Sequence, residues 1–135
     1  MILDGLTFGI FREIEPGIME IIINEGIELQ SKHIDKIEAG LLEHYSGTYA
    51  LLINRVNSYS HTLESMQKVA KLQNLAALAI VVYSDMSKQA AMIHHLYQDN
   101  LRVFEDKEKA IVWLRNYKNQ MIAKKASKMS ENEGG

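Results

Sequence analysis

The chain has 135 residues, a length that suits one compact domain and is too short for two hydrophobic cores of ordinary size. Hydrophobic residues make up 47% of it and charged residues 24%, with a single proline, which indicates a folded domain and argues against disorder. The net charge of -2 offers no basic surface for a phosphate backbone, so nucleic acid is not expected as a partner. The absence of cysteine excludes disulfides, zinc–thiolate sites and cysteine nucleophiles.

The sequence contains no recognisable targeting or membrane-spanning segment. Its first residues lack a basic region followed by an apolar stretch, and the longest apolar run, 75–83, is about half the length that a bilayer span requires. We therefore expect a cytoplasmic protein without a membrane span.

A β-hairpin is predicted first along the chain. Residues 8–14 alternate between two faces, and residues 18–23 form an apolar run interrupted at Glu20. Between them, Pro16 presets the φ angle of the first central turn position, and Gly17 accepts a positive φ at the second. This sequence is typical of a type II turn, with the second strand inside a sheet.

Helices and strands then alternate. Ser31 is predicted to cap the first helix, which ends near residue 45. The later predicted elements are a strand at 49–54, a helix at 63–73, a strand at 75–83, a helix at 90–97, a strand at 101–104 and a helix from the cap Asp106 to 121. Residues 1–123 are expected to form one domain, and 124–135 a disordered polar tail.

The predicted element order is β-β-α-β-α-β-α-β-α, which indicates an α/β fold. The crossovers are parallel and right-handed, so the sheet is mixed, with one early antiparallel strand and helices packed against it. Sites in such sheets lie beyond the carboxyl ends of the parallel strands. Here that edge contains residues 54–62 and 84–87.

Three segments carry a family resemblance within residues 8–120. They are Phe8-Gly9-Ile10-Phe11 with Ile18-Met19-Glu20-Ile21, Leu51-Leu52-Ile53-Asn54-Arg55 with Ser60, and Glu108-Lys109-Ala110-Ile111-Val112-Trp113-Leu114. With the element order, they resemble the SpoIIAA-like proteins of the STAS superfamily, which are often grouped with SEC14-like lipid-binding domains.

The resemblance implies a regulatory role for the loop before the second helix. In the anti-sigma-factor antagonists, an Asp-Ser-Ser-Gly-like turn at this place carries a phosphorylated serine. The matching region here holds Ser58 and Ser60, which are the implied phosphorylation candidates, although the aspartate and glycine of that turn are replaced.

The loop 55–62 also has a physical basis as a site. It leads into a helix, whose free N–H groups and dipole favour an anion, with Arg55 as the counter-charge. The candidate residues for binding a partner or an anion are Asn54, Arg55, Asn57, Ser58, Ser60, His61 and Thr62. The alternative is purely structural: Ser60 or Thr62 caps the helix, and Arg55 pairs with an acidic neighbour.

Neither catalysis nor metal binding is expected. A serine and His61 in one loop rarely align as nucleophile and base, and no orienting acid is evident. His94 and His95 could suggest a metal site with Asp99, but adjacent helical residues point about 100° apart and do not chelate one ion together. We therefore expect no cofactor.

Two functions follow from the resemblance. The first is a non-enzymatic regulatory, protein-interaction domain of STAS type, which docks a protein partner through the loop 55–62 and the following helix. The alternative is a carrier of SEC14-like type for a small apolar ligand or lipid. A homodimer is compatible with either function.

Overall fold

The computed structural model describes residues 6–134, with side chains placed through 121 and at 123, 124 and 127. Residues 1–5 of the predicted domain and residue 135 of the predicted tail lie outside this range. The strands are β1 (Gly9–Glu15), β2 (Ile18–Ile23), β3 (Glu28–Leu29), β4 (Tyr49–Asn54), β5 (Ser60–His61), β6 (Leu75–Val81) and β7 (Leu101–Phe104). The helices are α1 (Ser31–His44), α2 (Leu63–Ala70), α3 (Asp85–Ile93), the short 3₁₀ helix η1 (His94–Leu96) and α4 (Lys107–Gly134).

The main sheet has five strands in the order β1-β2-β4-β6-β7. The pair β1–β2 is antiparallel and the other pairs are parallel, which confirms the predicted mixed sheet with one antiparallel strand. The first hairpin turns at Gly17 with a φ of 85°, the value that the second central position of a type II turn requires.

A second, two-stranded sheet was not predicted. β3 and β5 are two residues each and pair in parallel, with Glu28 opposite Ser60 and Leu29 opposite His61. Strands this short carry no alternation that a sequence pattern can show. They attach the loop between β4 and α2 to the segment before α1.

The two faces of the main sheet are covered by different helices. On one face, α4 packs its Leu114 and Ala110 against Ile18, Leu52 and Val81, all of which are buried. The opposite face, which carries Ile21, Leu51 and Ile80, is covered by α1 and α2. This alternation is the period of two expected for strands buried on both sides.

One local prediction was wrong. Gln30, not Ser31, caps α1, because Gln30 keeps an extended backbone and its N–H donates to Nδ1 of His33 at 2.9 Å. Helix α4 includes residues 124–134, the segment predicted as a polar tail. Its lysine, alanine, methionine and glutamate residues all favour helix, and polarity alone does not oppose it.

None of the helices in residues 6–134 combines the length and the hydropathy that a membrane crossing needs.

Candidate functional site

Asn54 and Arg55, the first two candidate residues, lie on opposite faces of the sheet. They leave the carboxyl end of β4 in succession, and successive residues of an extended chain point in opposite directions. Asn54 turns toward the face covered by α4, where its Nδ2 donates to Glu20 at 3.2 Å. Arg55 turns toward the face covered by α1 and α2. The predicted site is therefore divided at its first two residues.

The Arg55 guanidinium is buried, with 8% of the residue exposed. Its Nη2 donates to the carbonyl oxygen of Tyr59 at 2.8 Å, and the Tyr59 ring lies 4.1 Å from its central carbon. Its Nε is buried without a hydrogen-bond partner. Among the side chains that the structure describes, no carboxylate forms an ion pair with Arg55, in contrast to the acidic neighbour that the structural alternative required.

Arg55 lines an apolar cavity between the sheet and the two covering helices. The sheet contributes Ile21, Ile23, Leu51, Ile53, Leu78 and Ile80. The covering layer contributes Leu29, Ile34, Ile37, Val69 and Leu72. The polar lining residues are Arg55, Tyr59, His61 and His94. The free space is about 30 Å³, enough for about two water-sized groups.

Both histidines of the cavity are held neutral. Burial, together with the neighbouring His94 and Arg55, lowers the pKa of His61 to about 3. Burial likewise lowers the pKa of His94 to about 4, with Arg55 acting in the same direction. The two rings meet edge to face, with centroids 4.8 Å apart. At neutral pH, Arg55 is thus the charged group of the cavity lining.

His61 also contacts a serine, but the pair is not arranged for nucleophilic catalysis. Nδ1 of His61 lies 2.9 Å from the Oγ of Ser65, which itself donates to the carbonyl oxygen of Thr62 at 2.8 Å. Because the hydroxyl proton is directed to that carbonyl, Nδ1 of His61 must donate to Oγ. A general base would have to accept the hydroxyl proton instead. The contact therefore orients the imidazole and fixes its tautomer.

The other candidate residues lie on the outer side of the loop or at the start of α2. Asn57 donates to the carbonyl oxygen of Ile23 at 3.0 Å. Ser58 and Ser60 are exposed, and Ser60 belongs to β5. Thr62 caps α2, since its Oγ1 accepts from the N–H of Ser65 at 3.1 Å. The structure thus brings together Arg55 and His61 and places the remaining loop residues elsewhere.

Asn54 belongs to a polar cluster on the α4 face, which we call the Glu20 cluster. Glu20 is fully buried and accepts from Arg12 Nε at 2.9 Å and from Lys107 Nζ at 2.7 Å. The hydroxyl of Tyr83 donates to Oδ1 of Asn54 at 2.6 Å. Burial alone would raise the pKa of Glu20, but the bonds from Lys107 and Arg12 outweigh this effect and lower the pKa below its ordinary value. Arg12, Lys107 and Asn54 bond to the carboxylate directly and keep it ionised within the protein, and Tyr83 holds Asn54 in place.

The adjacent residues His94 and His95 differ in their surroundings. His94 is buried and His95 is exposed, as their helical separation predicted. Among the described residues, no group of three potential metal ligands lies together.

Two polar residues of the cavity lining are not among the residues that the sequence predicts for the site. Tyr59 lies within the predicted loop 55–62 but is not one of its candidate residues, and His94 is considered only together with His95 as a metal ligand. A usable signal was the alternation at the end of β4, which separates Arg55 from Asn54. The approach of His94 to His61 has no local signal, because it depends on where η1 packs.

No family model and no curated protein matches the chain. Among solved structures, the chain is similar to an uncharacterised protein of the DUF3478 family with a SpoIIAA-like fold, from Shewanella loihica PV-4. The two are 17% identical, the match covers 76% of this chain and 88% of that one, and the TM-score is 0.54.

This similarity establishes the architecture. The chain has a SpoIIAA-like fold, an α/β domain with a mostly parallel sheet, one antiparallel pair and helices on both faces. The fold predicted from the resemblance is confirmed. At this level of identity the similarity assigns no activity, ligand or partner.

Proposed function

We propose that this protein is a non-enzymatic binding domain that takes a small, largely apolar ligand into the cavity between the sheet and helices α1 and α2. The observation that carries the proposal is the combination of an aliphatic lining with an incompletely bonded, buried Arg55. Binding sites for small molecules have this composition: mostly apolar walls with a few polar groups.

Ordinary core packing does not explain these features. Protein interiors leave few voids, and buried polar groups usually find partners. Here free space and an unpartnered Nε occur in the same place. A ligand that fills the space and approaches Arg55 would correct both defects at once.

Isoleucine methyl signals in NMR spectra test the binding site, with hexan-1-ol as a neutral apolar probe. We expect titration to shift the methyl signals of Ile21, Ile53 and Ile80, which line the cavity. Ile18 is the internal control, because it is fully buried on the opposite face against α4. The expected result is saturable change at the first three residues and little change at Ile18.

The same titration can refute the proposal. If propan-1-ol, hexan-1-ol and decan-1-ol all leave the three cavity isoleucines unchanged, the cavity is a packing defect. A shift of Ile18 equal to theirs would indicate general loosening of the core.

Docking of a protein partner through the loop 55–62 is the second candidate function. The observation that favours it is the exposure of Val56 and Leu63, at 53% and 55%, on either side of the exposed Ser58 and Ser60. Exposed apolar side chains around polar loop residues suit a protein contact. In this proposal, phosphorylation of either serine would add charge to the contact surface.

Phosphomimetic substitutions test this second function. We expect Ser58→Asp or Ser60→Asp to leave the melting temperature unchanged. Each should change the set or the amounts of the proteins that are captured from native lysate. Ser46→Asp is the matched control, because Ser46 is exposed before β4, at the opposite end of that strand. If all three variants capture the wild-type set in wild-type amounts, the loop is not a docking surface.

A further inference from the structure

The Arg55 guanidinium has unused binding capacity. One nitrogen, Nη2, bonds to a backbone carbonyl, and the Tyr59 ring faces the central carbon, while Nε is buried without a partner. A buried cation without an anion is costly, because neither water nor an opposite charge compensates it. The Glu20 cluster shows the usual solution in this same protein, where a buried charge has two ionic partners.

The net charge of the cavity lining limits any anion that binds next to Arg55 to a single negative charge. His61 and His94 are buried and neutral at neutral pH, so Arg55 supplies one positive charge. A carboxylate carries one negative charge and presents two oxygens in a plane that matches the edge of a guanidinium. A phosphate dianion would leave a buried negative charge without compensation.

The volume and the lining of the cavity define the apolar part of the ligand. The free volume of about 30 Å³ holds about two water-sized groups, so a longer hydrocarbon chain such as that of hexanoate enters only if the aliphatic walls move apart. This cost grows with chain length and favours a short chain. The walls beyond the polar end are isoleucine, leucine and valine, which offer no hydrogen bonds to a second polar group.

We propose that the cavity binds a short-chain aliphatic carboxylate, with the carboxylate on the guanidinium of Arg55 and the hydrocarbon chain among the aliphatic side chains of the sheet and helices. This assignment rests on the proposed function, since it names the ligand class of the same cavity. It adds a requirement for one negative charge that the proposed function does not contain.

Calorimetric titration of the full chain at pH 7.5 tests the charge requirement. Hexanoate and hexanamide have nearly the same size, but only hexanoate is charged. We expect hexanoate to bind at least about tenfold more tightly, because a hydrogen bond to a charged group contributes more than a neutral one. Isovalerate and decanoate extend the series, and isovalerate should bind at least as tightly as decanoate.

Arg55→Met should reduce hexanoate affinity to that of hexanamide and leave hexanamide affinity unchanged. Arg102→Met is the matched control, because Arg102 is an exposed arginine of β7 that does not line the cavity. The comparison of acid with amide on the unsubstituted chain decides the question even if the Arg55 variant does not fold.

The outcomes separate the two proposals. If hexanoate and hexanamide bind with affinities within about threefold of each other, the carboxylate assignment is overturned and the apolar site remains. If hexyl phosphate binds more tightly than hexanoate, the single-charge argument is overturned. If none of these compounds binds, both the assignment and the proposed function are overturned.

Discussion

Lowering the pH from 6.5 to 4.5 should reduce the free energy of unfolding by about 3 to 5 kcal/mol, mainly through His61 and His94. Burial lowers the pKa of each below the ordinary value of 6.5, to about 3 and about 4. In this interval the unfolded chain binds protons that the folded protein does not, so acid favours unfolding. Each histidine contributes about 1.4 kcal/mol per pH unit, and their mutual repulsion makes the two effects interdependent.

Urea unfolding at several pH values measures this effect. His61→Gln should reduce the slope of stability against pH between pH 6.5 and 4.5, whereas His95→Gln, at the exposed neighbouring position, should not. The lowered carboxylate pKa values of Glu13, Glu15 and Glu20 act below their ordinary value of 4.5, outside this interval. Stability that stays constant down to pH 4.5 would mean that the two imidazoles are not buried as described.

The Glu20 cluster should respond unequally to loss of its anion and loss of its cations. The double variant Arg12→Met, Lys107→Met leaves a fully buried carboxylate with Asn54 as its hydrogen-bond donor and should cost about 3–5 kcal/mol. Glu20→Gln should cost less, because the side chains of Arg12 and Lys107 are 50% and 33% exposed and can be solvated.

Adding Glu20→Gln to the double variant tests the cause of its instability. If the uncompensated carboxylate is responsible, the triple variant should be more stable than the double variant in urea unfolding at pH 7. Arg115→Met is a suitable control, because Arg115 pairs with Glu15 at the surface, where solvent screening leaves such pairs little effect on stability. A double variant as stable as this control would show that the cluster does not stabilise the fold.

The elements with a strong local pattern could be predicted from the sequence. Pro16 and Gly17 specify their turn through backbone conformation, and the runs in β4 and β6 are apolar on both faces because helices cover both. The two-residue strands β3 and β5 could not be predicted, since they exist only through pairing between distant segments.

The candidate site was predicted in its region but not in its arrangement. Arg55 and His61 do line the same cavity, yet the expected helix-terminal anion site assumed that Arg55 faces the start of α2. The alternation after Asn54 directs Arg55 inward instead. The contribution of His94, and the small volume left between aliphatic side chains, arise from tertiary packing and have no counterpart in any short segment of the sequence.

The order of strands in the main sheet has a consequence for synthesis of the chain. Strands β1, β2, β4, β6 and β7 occur in the sheet in the order in which they are translated, so each can pair with a neighbour already made. The covering of the two faces is not simultaneous, however. Helices α1 and α2 are translated between the strands that they cover, whereas α4 follows them all. Ile18, Leu52 and Val81 therefore remain uncovered in the nascent chain until the first turns of α4 have left the ribosome.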